Sequence, residues 1–278
     1  MLTSLFGKKN KKKKILIISP YFYPENFPIN TFASELQQFE FQIDVLTSLP
    51  NYRNFGFYDK YSFFKGPYRE RYKNCNIIRL PVIPRLSNSI TSIFLFYFSF
   101  FVSAIFFLLF FSLKNRNKYA HVMSFCGSPV YVGFLGKLFS FLSNTKSSQW
   151  IQDIWPEAII TSLNYKYNFL FKLIDKLQSL MWSSANLLIA QSEILEIYLK
   201  TIFKNKKIIT LNNPSRENIC QSNIEVIKHS NDEIHISYFG NIGKTQNLEF
   251  FIENFVKLKI NNYFLNICGD GRELEYLK

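Results

Sequence analysis

The sequence has 278 residues, a length typical of about two globular domains. Of these residues 47% are hydrophobic, which excludes a disordered chain. It carries 33 Lys and Arg against 20 Asp and Glu, a formal net charge of +13 that favours anionic partners such as phosphates, nucleotides, nucleic acid or anionic lipid. Its four cysteines form no Cys-x-x-Cys pair and its three histidines have no ligand spacing, which argues against a zinc site or a disulfide framework and favours reduced, cytosolic thiols.

Residues 1–14 form a basic tail that contains six lysines between Lys8 and Lys14. Such a run is typical of a solvated tail, and equally of a patch that meets a membrane surface or nucleic acid. The apolar stretch that follows, Ile15–Ser19, is too short for the apolar region of a signal peptide, so export is not indicated.

Short apolar runs alternate with amphipathic segments over residues 15–215. Predicted strands lie at 15–19, 43–47, 76–80, 120–124, 149–152, 187–190 and 208–211. Predicted helices lie at 30–39, 93–113, 130–141, 168–184 and 194–203. This alternation predicts an α/β domain with a parallel sheet that helices cover on both faces.

A polar stretch, Ser215–Asp232, is the best linker candidate, and a second set of elements follows it. These elements are a strand at 234–239, a helix at 246–259 and a strand at 264–268. One crossover unit cannot bury a sheet on both faces. We therefore predict an N-terminal domain at 15–215 and an incomplete C-terminal domain at 216–278.

The segment 93–113 contains nine Phe and no charged residue, and its length alone would span a bilayer. A span, however, would place strands of one sheet on opposite sides of the membrane. The alternatives are a fully buried core helix and a helix of the globular domain that dips its aromatic face into the lipid interface.

Two polar segments directly follow predicted strands, at the end of a parallel sheet where ligands bind. The first, YFYPENFPIN, offers Glu25, Asn26 and Asn30 as hydrogen-bonding partners for sugar hydroxyls, or is simply a proline-shaped loop in which Asn30 caps a helix. The second, DIWPE, combines the carboxylates of Asp153 and Glu157 with the flat face of Trp155, which suits a sugar ring. Helix capping by Asp153 explains the second segment equally well.

A third segment, Gly240-Asn241-Ile242-Gly243-Lys244, follows a predicted strand. Its glycines would let the backbone approach a diphosphate, helix amides would face it and Lys244 would add a positive charge. The segment matches neither the Gly-x-Gly-x-x-Gly nor the Walker pattern. The later Gly269-Asp270-Gly271 is explained by a tight turn.

Taken in order, the segments YFYPENFPIN, VLTSLPNY, DIWPE, LNNP, YFGNIGKTQNL and ICGDGREL resemble family 4 glycosyltransferases of bacterial lipopolysaccharide and capsule synthesis. The resemblance implies a GT-B fold of two Rossmann-like domains, with acceptor on the first and nucleotide-sugar on the second. It implies transfer of a sugar such as an acetamido sugar, with retention of anomeric configuration. Asn51, in the second segment, joins the acceptor-side candidates.

The resemblance also implies cofactors and partners. The donor is a nucleotide-sugar, UDP-linked by expectation, and neither a cofactor nor a metal is required. Gly240, Asn241, Gly243 and Lys244 would stabilise the leaving diphosphate, and Asp153 with Glu157 would be the catalytic carboxylates. The acceptor is a lipid-linked sugar at the cytoplasmic face of the inner membrane, whose anionic surface is a further partner. Nucleic acid is not expected.

Relatives of this family carry two glutamates, separated by seven residues, which grip the donor and which the sequence lacks. Impaired catalysis is therefore expected. The alternatives are a non-catalytic membrane-surface protein that binds lipid-linked sugar, and one half of a split glycosyltransferase.

Overall fold

The computed structural model describes residues 13–52, 54–66, 68–127, 131–155, 169–215, 233–258, 262–271 and 273–278. They fall into two compact units. The first contains the described residues up to Trp155 and those from Leu173 to Ser215, and the second contains residues 169–172 and those from Glu233 onward. The predicted linker and nearly all of the basic tail lie outside the described residues.

An eight-stranded sheet forms the centre of the first unit. Its strands are β1 (Lys14–Ile18), β2 (Gln42–Ser48), β3 (Arg69–Tyr72), β4 (Cys75–Leu80), β5 (Tyr119–Cys126), β6 (Lys146–Ile151), β7 (Leu187–Ala190) and β8 (Ile208–Thr210). Their order is β3-β4-β2-β1-β5-β6-β7-β8, and only the β3–β4 pair is antiparallel. The strand order reverses between β1 and β5, which in open α/β sheets is the point where ligands bind.

Helices cover both faces of this sheet. They are α1 (Pro28–Glu35), α2 (Ile90–Lys114), α3 (Val132–Ser143), α4 (Phe169–Ser184) and α5 (Glu193–Ile202). Strand β1 shows why both faces need cover: Leu16 and Ile18 join the apolar cluster beneath α2 and α3, whereas Ile17 joins the cluster beneath α1. A continuous apolar strand of this kind is stable only between two layers of helices.

The sequence predicts the α/β architecture and most elements within a few residues. It misses β3, because Arg69-Glu70-Arg71-Tyr72 is a polar edge strand without an apolar run. The predicted capping role of Asn30 is wrong, since α1 begins at Pro28 and Asn30 lies buried inside the helix. Proline fits the first helical position because its missing N–H would have no partner there.

Helix α2 connects β4 to β5 as a crossover of the sheet. Its buried stripe recurs every four residues, at Phe96, Phe100, Ala104, Leu108 and Ser112. The helix is long and apolar enough to cross a membrane, yet only 22% of its most apolar stretch is buried. The alternative of a fully buried core helix is therefore wrong, and α2 is a helix of the globular unit with a large exposed apolar surface.

The second unit contains a parallel pair of strands, β9 (Ile234–Asn241) and β10 (Tyr263–Asp270), with helices α6 (Leu248–Lys257) and α7 (Leu274–Leu277). The strand predicted at 234–239 is two residues too short and the turn predicted at Gly269-Asp270 is wrong, because Gly240-Asn241 and Gly269-Asp270 continue the strands. Gly269 lies opposite Gly240, and a Cβ on Gly269 would lie 1.8 Å from the carbonyl oxygen of Gly240. Glycine is therefore required for the two backbones to pair.

Candidate functional site

A cavity of about 280 Å³ lies in the first unit, where β1, β5 and β6 end. Its lining residues are Ser19, Pro20, Tyr21, Phe27, Pro28, Tyr52, Tyr97, Phe125, Gly127, Gln152 and Asp153. This is the carboxyl edge of the sheet at the point where the strand order reverses. Both the position and the modest volume suit one ring of a small ligand.

Aromatic rings form the walls of the cavity. Tyr21 stacks on Phe27 with ring centroids 5.0 Å apart and on Phe96 at 5.2 Å, and Tyr52 meets Tyr21 edge-on at 5.0 Å. Rings packed against one another in this way keep their orientation. The walls therefore offer a fixed aromatic surface to the apolar C–H groups of a ligand.

Three polar side chains connect through the wall. Arg85 Nη1 donates to the Tyr21 hydroxyl at 3.3 Å, and the Tyr21 hydroxyl donates to that of Tyr97 at 3.4 Å. Burial raises the pKa of Tyr21 well above its ordinary value and the pKa of Tyr97 to about 12. Both phenols are therefore neutral at pH 7, and the Tyr97 O–H remains available to donate into the cavity.

The rim of the cavity carries the carboxylate of Asp153 and the side-chain amide of Gln152. Among the described lining residues, Asp153 is the only carboxylate, and its side chain is exposed. Gln152 accepts a hydrogen bond from Asn213 Nδ2 at 2.8 Å through Oε1, while its Nε2 is buried without a partner among the described residues. A buried donor of this kind is costly unless a ligand or water meets it. The rim thus offers one acceptor and one donor.

Glu25 is placed differently from the other predicted residues, because it is buried behind the cavity. Its Oε1 accepts the backbone N–H groups of Asn51 and Tyr52, both at 2.7 Å, and so fixes the loop that brings Tyr52 to the wall. Burial raises the pKa of Glu25 from 4.5 to about 7, although the two N–H bonds and Arg79 act in the opposite direction. In this geometry the glutamate positions the loop.

Asn51 and Asn30 are likewise engaged inside the unit. Asn51 donates through Nδ2 to the carbonyl of Leu49 at 2.8 Å and accepts the N–H of Arg85 at 3.1 Å. Asn30 donates to the carbonyl of Glu25 at 2.7 Å. Their side chains hold the loops that surround the cavity, and their direct contact with an acceptor stays a prediction.

The remaining acceptor-side candidates lie apart from the cavity lining. Asn26 is exposed on the loop before α1. Trp155 is held by its backbone, whose N–H donates to Gln178 Oε1 at 2.8 Å, and its Nε1 is buried without a partner among the described residues. Glu157 lies outside the described residues. For these three residues the sequence-based roles stay predictions.

The diphosphate-loop candidates lie in the second unit. Gly240 and Asn241 end β9, Gly243 precedes a short 3₁₀ turn, Lys244–Gln246, and α6 begins only at Leu248. The helix start predicted at Gln246 is therefore two residues early, because Asn247 adopts a left-handed conformation at φ 50°. Lys244 is exposed. The described residues contain no group of three or more side chains that could hold a metal ion.

Sequence reasoning missed much of the cavity wall. Tyr97 and Arg85 lie in or near the apolar segment, which offers no polar motif, and Tyr21 and Phe27 were noted only as parts of a loop. The available signal was the density of aromatic residues at the ends of the predicted strands. It could not specify which rings face the cavity, because that depends on contacts between distant segments.

No protein-family model matches the chain, and no curated protein matches it. Solved structures do. The chain is similar to Anabaena Alr3699/HepE, solved in complex with UDP and glucose, at 10% identity and a TM-score of 0.54, covering 95% of this chain and 64% of that one. It is also similar to the lipopolysaccharide outer core galactosyltransferase WaaB, at 15% identity and a TM-score of 0.52, covering 95% and 62%.

A third similar structure is TarM, at 12% identity and a TM-score of 0.53, which covers 96% of this chain and 73% of that one. The chain thus spans just under two thirds of the length of HepE and WaaB. At these identities the likeness concerns the fold. The mostly parallel sheet, the reversal between β1 and β5 and the second Rossmann-like unit together are the GT-B fold of glycosyltransferases.

Proposed function

We propose that this chain is the acceptor-binding part, with a portion of the donor-binding part, of a retaining glycosyltransferase that moves a sugar from a nucleotide-sugar to a lipid-linked acceptor. The observation that carries the proposal is the aromatic cavity at the carboxyl edge of the sheet, with Asp153 on its rim. The GT-B fold supports glycosyl transfer as the proposed reaction class. It does not by itself fix the substrate.

The cavity supplies what an acceptor sugar needs. A pyranose has apolar C–H faces, which pack on aromatic rings, and hydroxyl groups at its edge, which need donors and acceptors. The walls present Tyr21 and Tyr52, Tyr97 offers an O–H, and Gln152 offers an unpaired N–H. Asp153 would accept a hydrogen bond from the attacking hydroxyl and orient its oxygen for transfer.

The donor side of the proposal rests on the second unit. Lys244 is an exposed cation beside Gly243 and has no ion pair among the described residues, so it can approach a diphosphate. A UDP-linked sugar is the proposed donor. Stabilisation of the leaving diphosphate by backbone amides and this cation would make a metal ion unnecessary.

A location at the membrane surface would explain the large exposed apolar surface of helix α2. Its exposed residues include Phe94 and Phe106, each 62% exposed, and Phe110, 76% exposed. Between Glu70 and Asp153 the sequence contains no Asp or Glu at all, whereas it contains nine Lys and Arg, four before α2 and five from its last residue, Lys114, onward. Exposed aromatic residues on a helix with basic surroundings suit the interface of an anionic bilayer. We therefore propose that the protein acts at the cytoplasmic face of the inner membrane, with α2 lying in the interface.

The decisive experiment measures acceptor binding by the chain itself. Calorimetry with a short-chain prenyl-diphosphate-N-acetylglucosamine should show binding that Asp153→Asn and Tyr97→Phe each weaken roughly threefold to tenfold, the value of one hydrogen bond. Asp175→Asn, which alters an exposed acid on α4, is the matched control and should leave binding unchanged. Unchanged binding in all three variants would mean that the cavity is not the acceptor site.

A second titration, with UDP-sugars, tests the donor side. We expect binding that Lys244→Ala weakens, most clearly in a version extended by the remaining donor-domain strands of a GT-B enzyme. If the chain binds the glycolipid but no version binds any nucleotide-sugar, a non-catalytic membrane-surface protein is the correct description.

A further inference from the structure

A second and larger cavity lies at the opposite end of the sheet. It measures about 640 Å³ and opens at the amino ends of β1, β2 and β5, between the edge strand β3 and the last turn of α2. Its lining residues are Lys14, Asp44, Arg69, Glu70, Arg71, Asn76, Ile77, Ile78, Phe111, Asn115 and Tyr119. None of them lines the aromatic cavity described above.

Strand register shows which charges face this cavity. Arg69 pairs with Ile78, and Arg71 pairs with Asn76. Ile78 packs into the apolar cluster beneath α2, and side chains alternate along a strand, so both arginines lie on the α2 face. Glu70, between them, lies on the other face, where its Oε2 pairs with Arg79 Nε at 2.5 Å.

Both carboxylates among the lining residues already have partners, Glu70 through its ion pair with Arg79. Asp44 accepts hydrogen bonds from Asn76 Nδ2, at 2.7 Å, and from the Tyr119 hydroxyl, and Lys14 Nζ lies 3.7 Å from its Oδ2. Arg69 and Arg71, by contrast, are exposed and have no hydrogen bond or ion pair within the part of the chain that the structure describes. The cavity therefore has an excess of positive charge held by two unpaired guanidinium groups.

The end of α2 does not cancel this charge. Carbonyl groups at a helix C-terminus repel anions, but Asn115 Nδ2 donates to the carbonyl of Phe111 at 2.8 Å and Lys118 Nζ donates to that of Lys114 at 2.9 Å. Lys114, Lys118 and Arg116 add three cations at the same helix end. These three cations do not line the cavity, but they offset the negative end of the helix whose last turn does.

We propose that this cavity binds the phosphate group of an anionic lipid, with Arg69 and Arg71 as its guanidinium ligands. Two guanidinium forks on one strand match the oxygens of a phosphate, which arginine binds in bidentate geometry. The lipid is favoured over a soluble phosphate because Phe110 and Leu113, 76% and 60% exposed, flank the cavity residue Phe111 along α2. Acyl chains would contact those side chains while the headgroup occupies the cavity.

The test compares vesicles of phosphatidylcholine alone with vesicles that also contain phosphatidylglycerol. Arg69→Ala combined with Arg71→Ala should lower the preference for the anionic vesicles by roughly tenfold or more. Binding to the neutral vesicles should not change, because α2 is untouched. Lys204→Ala combined with Lys207→Ala removes two exposed charges elsewhere and should have little effect. Arg69→Lys combined with Arg71→Lys should keep only part of the unaltered protein's preference for the anionic vesicles.

Calorimetry with glycerol 3-phosphate separates the two sources of phosphate. Weak or absent binding, together with the vesicle result, supports the lipid headgroup. Tight binding that needs both arginines, without any preference between vesicles, would reassign the cavity to a soluble phosphate compound and overturn the lipid proposal. An equal loss of vesicle preference in the Lys204 and Lys207 variant would overturn the site altogether. Glycolipid binding in the other cavity is independent, so failure here leaves the proposed function standing.

Discussion

Ionisation of Glu25, which holds a loop beside the aromatic cavity, makes the stability of the fold depend on pH. Its pKa lies at about 7 in the folded protein, against 4.5 ordinarily, because burial outweighs the two N–H bonds to its Oε1. The folded state therefore holds the proton more tightly than the unfolded chain does. It follows that the free energy of unfolding falls as pH rises from about 4.5 to about 7, by about 3 kcal/mol from this group, and that the loss is complete above pH 7.

Glu25→Gln tests this directly. Glutamine keeps a carbonyl oxygen for the two backbone N–H groups but cannot ionise. We expect urea unfolding of the variant to show a smaller loss of stability between pH 5 and pH 7.5 than the unaltered protein shows. Glu35→Gln, at an exposed carboxylate of α1, is the matched control. Parallel pH profiles for the protein and the Glu25 variant would contradict the assignment.

Arg79 is the second buried ionisable residue on which the first unit depends. It is only 2% exposed, pairs with Glu70, donates to the carbonyl groups of Ser48 and Tyr23, and lies over the ring of Tyr61 at 4.8 Å. Removing one partner of a buried ion pair leaves the other uncompensated. Arg79→Leu should therefore lower the free energy of unfolding by about 3 kcal/mol.

The neighbouring strand offers a control for Arg79. Arg71→Leu removes an exposed arginine on the edge strand and should change stability by no more than about 0.5 kcal/mol. Chemical denaturation of both variants gives the comparison. Equal stabilities would mean that the contacts of Arg79 contribute nothing net.

Residue roles were the part least predictable from sequence. The sequence places Asp153 directly after a predicted strand, and the structure places it on the cavity rim, while its catalytic role stays a prediction. Glu25 and Asn51 were assigned to the acceptor, yet their polar atoms hold loops through contacts 26 to 34 residues away along the chain. A sequence motif marks a residue that is needed, but it does not distinguish a group that meets a ligand from one that supports it.

At the scale of secondary structure, α2 has one face that packs on the sheet and one exposed face that we propose contacts lipid. Phe100 lies in the buried stripe against the sheet, whereas Phe94, Phe106 and Phe110 are exposed. Phe100→Ala should cost about 3–5 kcal/mol of stability because it leaves a cavity in the core. The triple change of the exposed residues to Ser should leave stability nearly unchanged and weaken binding to neutral vesicles by roughly tenfold or more.

Thermal unfolding of both variants measures the contribution of each face to stability, and vesicle co-sedimentation measures its contribution to membrane binding. Loss of stability in the triple variant would mean that those rings pack within the protein, and unchanged vesicle binding would remove the membrane role from α2. Sequence composition could identify this helix but not divide its faces, because phenylalanine occurs on every side of it. The buried stripe is fixed only by the sheet on which the helix packs.

At the scale of the whole molecule, the domain boundary predicted at 215–216 stays a prediction, because the polar stretch that indicates it lies almost wholly outside the described residues. The parallel α/β order followed from the alternation of strand and helix patterns. The exact strand ends did not, because Gly240 and Gly269 look like turn residues and in fact allow two backbones to pair. A glycine in a strand pattern can indicate either a turn or a close approach of two backbones, and which of the two occurs depends on the neighbouring strand.

This close approach gives a prediction for how the units depend on each other. Gly269→Ala places a Cβ 1.8 Å from the carbonyl oxygen of Gly240, so β9 and β10 must separate locally. Hydrogen exchange should show that the amides of β9 and β10 lose protection, while those of β5 in the first unit keep theirs. Gly127→Ala, at a position where a Cβ meets no atom within 4 Å, is the control and should alter neither set. If β5 instead loses protection together with β9 and β10, the two units unfold as one cooperative body, and acceptor and donor binding should then respond to the same destabilising changes.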